Sequence, residues 1–372
     1  MNDMFPFLDL AGLNRRDESA LTEAFQRVLR SGWYVLGAEV SAFESEYANA
    51  CGVRHAVGVG NGLDALTLML RGYLQLGRLE EGDEVILPDN SFIATALAVS
   101  EAGLVPILVE PDANTFNIDP IAVESAIGPR TRAIIAVHLY GCLADMGRLR
   151  SLADQHGLLL LEDAAQAHGA RDEDGSVAGA LGDAAGFSFF PVKNLGALGD
   201  AGALTTQDDA LAEQVRKLRN YGSSRKYIHE VQGINSRLDE LQAALLRVKL
   251  VRMDQDAQAR RDLARRYLEG IDNPLLRLPQ MPAVTASHVW HQFVVRSQQR
   301  AALQDHLERN GVPSLIHYPV PIHLQQAYRQ YAGLDLPVST RLADEVLSLP
   351  LYPGMPDGWV EKTIEACNSF RG

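Results

Sequence analysis

The chain has 372 residues, 47% hydrophobic and 22% charged, with 34 Lys and Arg against 47 Asp and Glu, a net charge of −13. Such a length suggests two or three domains, and a surface that negative repels nucleic acid and anionic membranes, so neither is an expected partner. Cys51, Cys142 and Cys367 lack the spacing of a disulfide framework or a zinc site, and no metal is expected.

Residues 1–10 lack the basic region and apolar run of a signal peptide. No stretch approaches the roughly 18 apolar residues of a membrane span, so a cytoplasmic, soluble protein is expected. Short β-rich runs follow at 55–60, 84–88, 105–110, 132–138, 158–162, 186–190 and 202–206. Helical patterns at 63–76, 94–102, 121–127, 146–155 and 209–220 alternate with them. That alternation predicts an α/β fold, a doubly wound and mostly parallel sheet covered on both faces. A long helical pattern spans 238–271, and Pro274, Pro279 and Pro282 break the chain after it. The domain boundary is placed along this helix, giving a large domain, 1–250, and a small C-terminal α/β domain, 251–372. In the latter, strands are expected at 290–296 and 313–318, and helices at 301–310, 339–347 and 357–369.

Four clusters fall where a strand gives way to a helix or loop, the edge at which open α/β sheets bind ligands. In Gly58-Val59-Gly60-Asn61-Gly62-Leu63-Asp64 a strand enters and a helix leaves. Gly62 and Leu63 would offer backbone donors and a positive helix end to a phosphate. Competing readings are a mere tight turn or a dinucleotide fingerprint, but Leu63 stands where the latter needs its third glycine. In Leu161-Glu162-Asp163-Ala164-Ala165-Gln166-Ala167-His168-Gly169 two carboxylates end a buried strand. Adjacent strand residues point to opposite faces, so at most one easily serves a given pocket, and a buried acid needs a partner. A protonated ring nitrogen would suit it; a cap on the next element is the alternative. Lys193 is the one charge in the run from Ala184 to Leu198. Apolar surroundings lower an ammonium's pKa and free the amine to attack carbonyls; otherwise it is a solvated surface lysine. Last, Gly233-Ile234-Asn235-Ser236-Arg237 opens the long helix, where Asn235 or Ser236 could be its N-cap.

Together these stretches resemble the DegT/StrS-type sugar aminotransferases, fold-type I enzymes that use pyridoxal 5'-phosphate. The likeness runs from Pro6-Phe7-Leu8-Asp9-Leu10 to the last helix and is sharpest at 162–169 and around Lys193. It implies that Lys193 forms the Schiff base and that Asp163 keeps the pyridine nitrogen protonated, so the ring takes up electrons. It also implies that Gln166 lies near the ring hydroxyl, and that Gly62, Leu63 and Ser188 hold the phosphate. Leu63 departs from the Gly-Thr pair that relatives often have. Phe92 would stack on the ring, and Asn235 would reach the phosphate of a neighbouring subunit, making a homodimer with shared active sites.

The implied reaction moves an amino group, from glutamate, to a nucleotide-linked keto sugar, with Lys193 acting as base and then acid. The stretches 58–66 and 193–200 are similar to members that aminate C3 of dTDP-3-keto-6-deoxyhexoses; C4 amination and a non-catalytic regulator on the same scaffold are the alternatives. PLP-dependent sugar dehydrases of this fold carry histidine where Lys193 stands. Candidate substrate contacts are Tyr34, Tyr221, Lys226, Tyr227, His317 and Tyr318, for each of which ordinary packing is the competing role.

Overall fold

The structure is a computed structural model that describes residues 5–372; the first four residues of the segment 1–10 considered above lie outside it. Seven strands form the main sheet: β1 (His55–Val59), β2 (Glu84–Pro88), β3 (Val105–Val109), β4 (Thr131–Val137), β5 (Leu159–Asp163), β6 (Ala184–Ser188) and β7 (Gly202–Thr206). Their order is β1-β7-β6-β5-β4-β2-β3. Only β7 runs against its neighbours, pairing antiparallel with β1 and β6, while β2, β3, β4, β5 and β6 pair in parallel. The expected doubly wound, mostly parallel sheet is present.

Alternation along each strand buries both faces. Val85 and Leu87, Ala133 and Ile135, and Leu159 and Leu161 pack on the helices Gly62–Gln75, Ala94–Glu101 and Asp209–Leu218. Ile86, Ile134, Ala136, Leu158 and Leu160 pack the other way, against Pro120–Ala126 and Met146–His156. Three helices ahead of β1, Leu10–Arg15, Glu18–Ser31 and Ala38–Cys51, were not legible as sheet-flanking units. Gly32 and Gly52 end the latter two in the left-handed conformation (φ +67° and +72°), which glycine reaches without strain.

The single long helix expected at 238–271 is two, Glu240–Leu250 and Met253–Gly270. They pack on different partners. Leu246 joins the cluster with Phe43, Phe187 and Phe189, whereas Leu263 and Tyr267 join the C-terminal cluster with Trp290 and Phe293. Asp239 is the N-cap of the first, so neither Asn235 nor Ser236 caps it.

A hairpin, β8 (Ser223–Arg225) and β9 (Ile228–His229), projects with Tyr227 80% exposed. The C-terminal part contains one antiparallel pair, β10 (Phe293–Arg296) and β11 (Val346–Leu349). Residues 313–318 do not form the expected strand: only Leu315 makes a bridge, to Ser348. The helix expected to reach 347 stops at Glu345, because Leu347 and Leu349 alternate into the C-terminal cluster as strand residues. Ile322 and Tyr328, although late in the chain, bury in the cluster of the large sheet.

Candidate active site

The carboxyl ends of β1, β2, β4, β5 and β6 open onto a cavity of about 370 Å³. Gly62, Leu63, Phe92, Asp163, Gln166, Ser188, Lys193 and Tyr318 all line it, together with Asn61, Phe190 and Asp200. Residues spread over some 250 positions thus converge at one edge of the sheet, as expected for this architecture.

Strand parity assigns the two adjacent acids. Asp163 shares the face of Leu159 and Leu161, towards the helix Ala94–Glu101, and there Thr95 Oγ1 donates to its Oδ2 at 2.7 Å and Ala165 N–H to its Oδ1 at 3.2 Å. Glu162 points the other way and is fully buried. Its carboxylate accepts from the N–H groups of Gly179 (2.8 Å), Leu181 (2.8 Å) and Gly182 (2.7 Å). His138 Nδ1 accepts from Ala144 N–H, so its proton sits on Nε2, which donates to Glu162 at 2.9 Å. Glu162 is therefore a structural knot, and Asp163 is the acid presented to the cavity.

Lys193 follows β6 on a turn in which its own N–H donates to Phe190 O at 2.8 Å. Burial lowers its pKa from the ordinary lysine value to about 8, against a smaller upward pull from Asp163. The nearby imidazoles add no positive charge: burial, and then Lys193 itself, lower His168 to about 3 and His317 to about 4. At pH 7 about a tenth of Lys193 is thus free amine, the form that attacks a carbonyl and takes a proton, a share far above that of an ordinary lysine.

At the opposite end, Asn61 caps the helix Gly62–Gln75, accepting from Asp64 N–H at 2.9 Å. The first N–H groups of that helix face the cavity and lack intrahelical acceptors. A Cβ on Gly62 would stand 2.5 Å from the Cβ of Ser188, so glycine is what lets the helix end approach the Ser188 hydroxyl. The two make a cradle for an anion. Gln166 is held between Tyr140 N–H, which donates to its Oε1 at 2.6 Å, and the Tyr318 hydroxyl, which accepts from its Nε2 at 3.2 Å. The Phe92 ring lies 5.3 Å from that of Tyr318, tilted by 40°.

Other expected site residues lie elsewhere. His317 sits beside the cavity but turns away, with Nδ1 2.8 Å from Ser348 Oγ and its carbonyl accepting from the Tyr140 hydroxyl. Asn235, Tyr34, Tyr221, Lys226 and Tyr227 do not line the cavity of their own chain and are exposed. Lys226 lies over the Tyr227 ring and Arg237 over that of Tyr221, at 5.1 and 5.4 Å. Sequence reasoning missed Thr95, Tyr140 and Asp200. Asn61 alone of the unassigned residues carried a readable signal, an N-cap residue at a helix start.

The model of the DegT/DnrJ/EryC1/StrS aminotransferase family matches residues 15–368. Over 367 residues, 99% of each chain, the sequence is 51% identical to a dTDP-3-amino-3,6-dideoxy-alpha-D-galactopyranose transaminase of Aneurinibacillus thermoaerophilus. It is 49% identical to a dTDP-3-amino-3,4,6-trideoxy-alpha-D-glucose transaminase of Streptomyces venezuelae, over 98% of this chain and 96% of the relative. The crystal structure of S. venezuelae DesV in complex with a ketimine intermediate superposes with a TM-score of 0.94 at 48% identity, covering 98% of both chains.

Proposed function

Because the chain belongs to the DegT/DnrJ/EryC1/StrS aminotransferase family and is a pyridoxal-phosphate-dependent sugar-nucleotide transaminase, we propose that it aminates C3 of a dTDP-3-keto-6-deoxyhexose with glutamate as donor. The observation that carries this reading is a desolvated amine, Lys193, and a carboxylate, Asp163, presented to one cavity whose far end is an anion cradle. Identities near 50% to transaminases that bear 3-amino sugars in their names support the C3 position over C4.

The residues present fit the cofactor. The cradle of Gly62, Leu63 and Ser188 suits its phosphate, Asp163 its ring nitrogen, Gln166 its ring hydroxyl and Phe92 its ring face. Lys193 would attach to its aldehyde. When bound, the cofactor supplies an electron sink for the bond broken at the donor's Cα. With its amine free, Lys193 would take the proton from the donor's Cα and return it to the cofactor carbon on the far side of the nitrogen, as a base and then an acid. Its low pKa suits both roles near neutral pH. Asp163, oriented by Thr95 and Ala165, would keep a positive charge on the ring nitrogen favourable. Phe92, Phe190, Leu139 and Tyr318 give the cavity an apolar wall, in which the Phe92 and Phe190 rings are about half-exposed.

This reading includes a homodimer in which Asn235 reaches the partner's phosphate cradle, and Tyr34, Tyr221, Lys226, Tyr227 and Tyr318 meet the sugar nucleotide, while His317, turned to Ser348, drops out of that set. Two observations support it. Asn235 and the hairpin β8–β9 are exposed and do not line the cavity of their own chain. An open groove on the chain's surface is lined by Leu21, Phe25, Leu198, Leu241 and Leu245, apolar area of the kind that marks an interface. The division into 1–250 and 251–372 is supported by an apolar cluster whose buried members, apart from Phe5, come from after residue 250, although Met253, Ala257, Ile322 and Tyr328 pack into clusters of the large sheet. Cytoplasmic residence accords with the absence, among the described residues, of a helix long and apolar enough to cross a membrane.

The test is to convert the enzyme with glutamate to its amino-carrying form and offer a panel of dTDP- and UDP-linked 3-keto and 4-keto sugars. Return of the visible cofactor band with dTDP-3-keto-6-deoxy sugars is expected. Preference for a 4-keto sugar overturns the C3 assignment, and no conversion by glutamate overturns the donor.

A further inference from the structure

Thr95 is fully buried at the second position of the helix Ala94–Glu101 and belongs to none of the motifs that drew attention in the sequence. Its hydroxyl has one proton and two acceptors in range, Asp163 Oδ2 at 2.7 Å and Phe92 O at 3.4 Å. The nearer, charged acceptor takes it, since hydrogen bonds to ionised groups are shorter and about twice as strong as neutral ones. The Ser91 hydroxyl lies 3.3 Å from Thr95 Oγ1, with the carbonyls of Phe92 and Pro88 at 3.3 and 3.4 Å as its other acceptors.

Two donors hold that carboxylate, the Thr95 hydroxyl on one oxygen and Ala165 N–H on the other. The Ala165 contact, at 3.2 Å and from two residues on, is the weaker restraint. Without Thr95 the group is free to turn about its Cβ–Cγ bond, and a buried carboxylate oxygen loses its partner. The β5 backbone fixes where Asp163 begins; Thr95 fixes where its charge ends.

We propose that Thr95 is a positioning residue for transamination, its hydroxyl clamping Asp163 so that the carboxylate meets the ring nitrogen of the cofactor at a fixed angle. The inference rests on the reading of Asp163 given above. Asp163 is the group that touches the cofactor, and Thr95 acts only through it. Valine at position 95 keeps the shape and removes the donor, whereas serine keeps the donor.

The experiment compares wild type, T95V, T95S and D163N loaded with cofactor labelled with 15N in the ring, whose NMR shift reports protonation of that nitrogen. Cofactor dissociation constants and the glutamate half-reaction are measured alongside. T95V is expected to lose ring protonation at a lower pH than wild type. Its half-reaction should slow about tenfold or more, the worth of one charge-assisted hydrogen bond, with the KM for glutamate little changed. T95S is expected to restore both. If D163N disturbs the ring shift and T95V leaves it as in wild type, the inference about Thr95 is wrong while the role of Asp163 stands. If D163N itself keeps a protonated ring, the reading of Asp163 falls and this one with it. Should T95V give no folded protein, T95A against T95S makes the same comparison, and a wild-type ring shift in T95A overturns the proposal.

Discussion

Lys193 is expected to destabilise the protein it serves. Burial lowers its pKa from 10.5 to about 8, which at about 1.4 kcal/mol per tenfold is a penalty of up to about 3 kcal/mol for the charged form in the folded, cofactor-free chain. The folded-state value is the depressed one, so between these two values the unfolded chain binds more protons and stability rises with pH. Below pH 8 the penalty is fully present; above pH 10.5 it vanishes. Replacing Lys193 by methionine, of similar length but without charge, should therefore stabilise the cofactor-free protein by up to about 3 kcal/mol at pH 7 and by about 1 kcal/mol at pH 10. Urea unfolding of both proteins, stripped of cofactor, at the two pH values measures this. A gain that is absent, or equal at pH 7 and pH 10, would refute the claim that Lys193 is held desolvated. The same variant should show no transamination.

Gly62→Ala places a Cβ 2.5 Å from that of Ser188 and should weaken cofactor binding about tenfold, an overpacking cost near 1.4 kcal/mol; equilibrium titration of the stripped protein reads it, and an unchanged constant removes the cradle from that turn. Glu162→Ala orphans the buried Gly179 N–H, the half-buried N–H groups of Leu181 and Gly182, and the buried His138, so a loss of about 3 kcal/mol or more is expected by denaturant unfolding; a variant of wild-type stability contradicts the structural role given to this acid. Lys193→Ala and Asn235→Ala proteins, each impaired alone, should recover activity when unfolded together and refolded as hybrids. If Asn235 serves the partner's cradle, a hybrid dimer contains one wild-type site; without recovery, Asn235 acts in its own chain or not at all.

Much of the site was legible because its chemistry is written in short local patterns. The glycine turn at 58–62, the acid pair ending a run of leucines, and a lysine alone among apolar residues each imply a physical environment wherever they occur. The strand order of the sheet was not legible, nor was the break at Val251 and Arg252. Both depend on which apolar surface each segment finds, and the helical pattern of 238–271 is the same for one core or two. Leu347 likewise read as the end of a helix until β10 offered it a partner strand.

The sequence by itself determined that at most one of Glu162 and Asp163 could easily serve a given pocket, since side chains alternate along any strand. Only the tertiary structure decided which, by laying Leu159 and Leu161 on the helix that carries Thr95 and leaving Glu162 to three amides and a histidine. The lowered pKa of Lys193 is of the same kind. Neighbours in sequence made it plausible, but desolvation is a property of everything packed around an atom, and β5, β6 and residues 316–318 meet around this one only when the chain has folded.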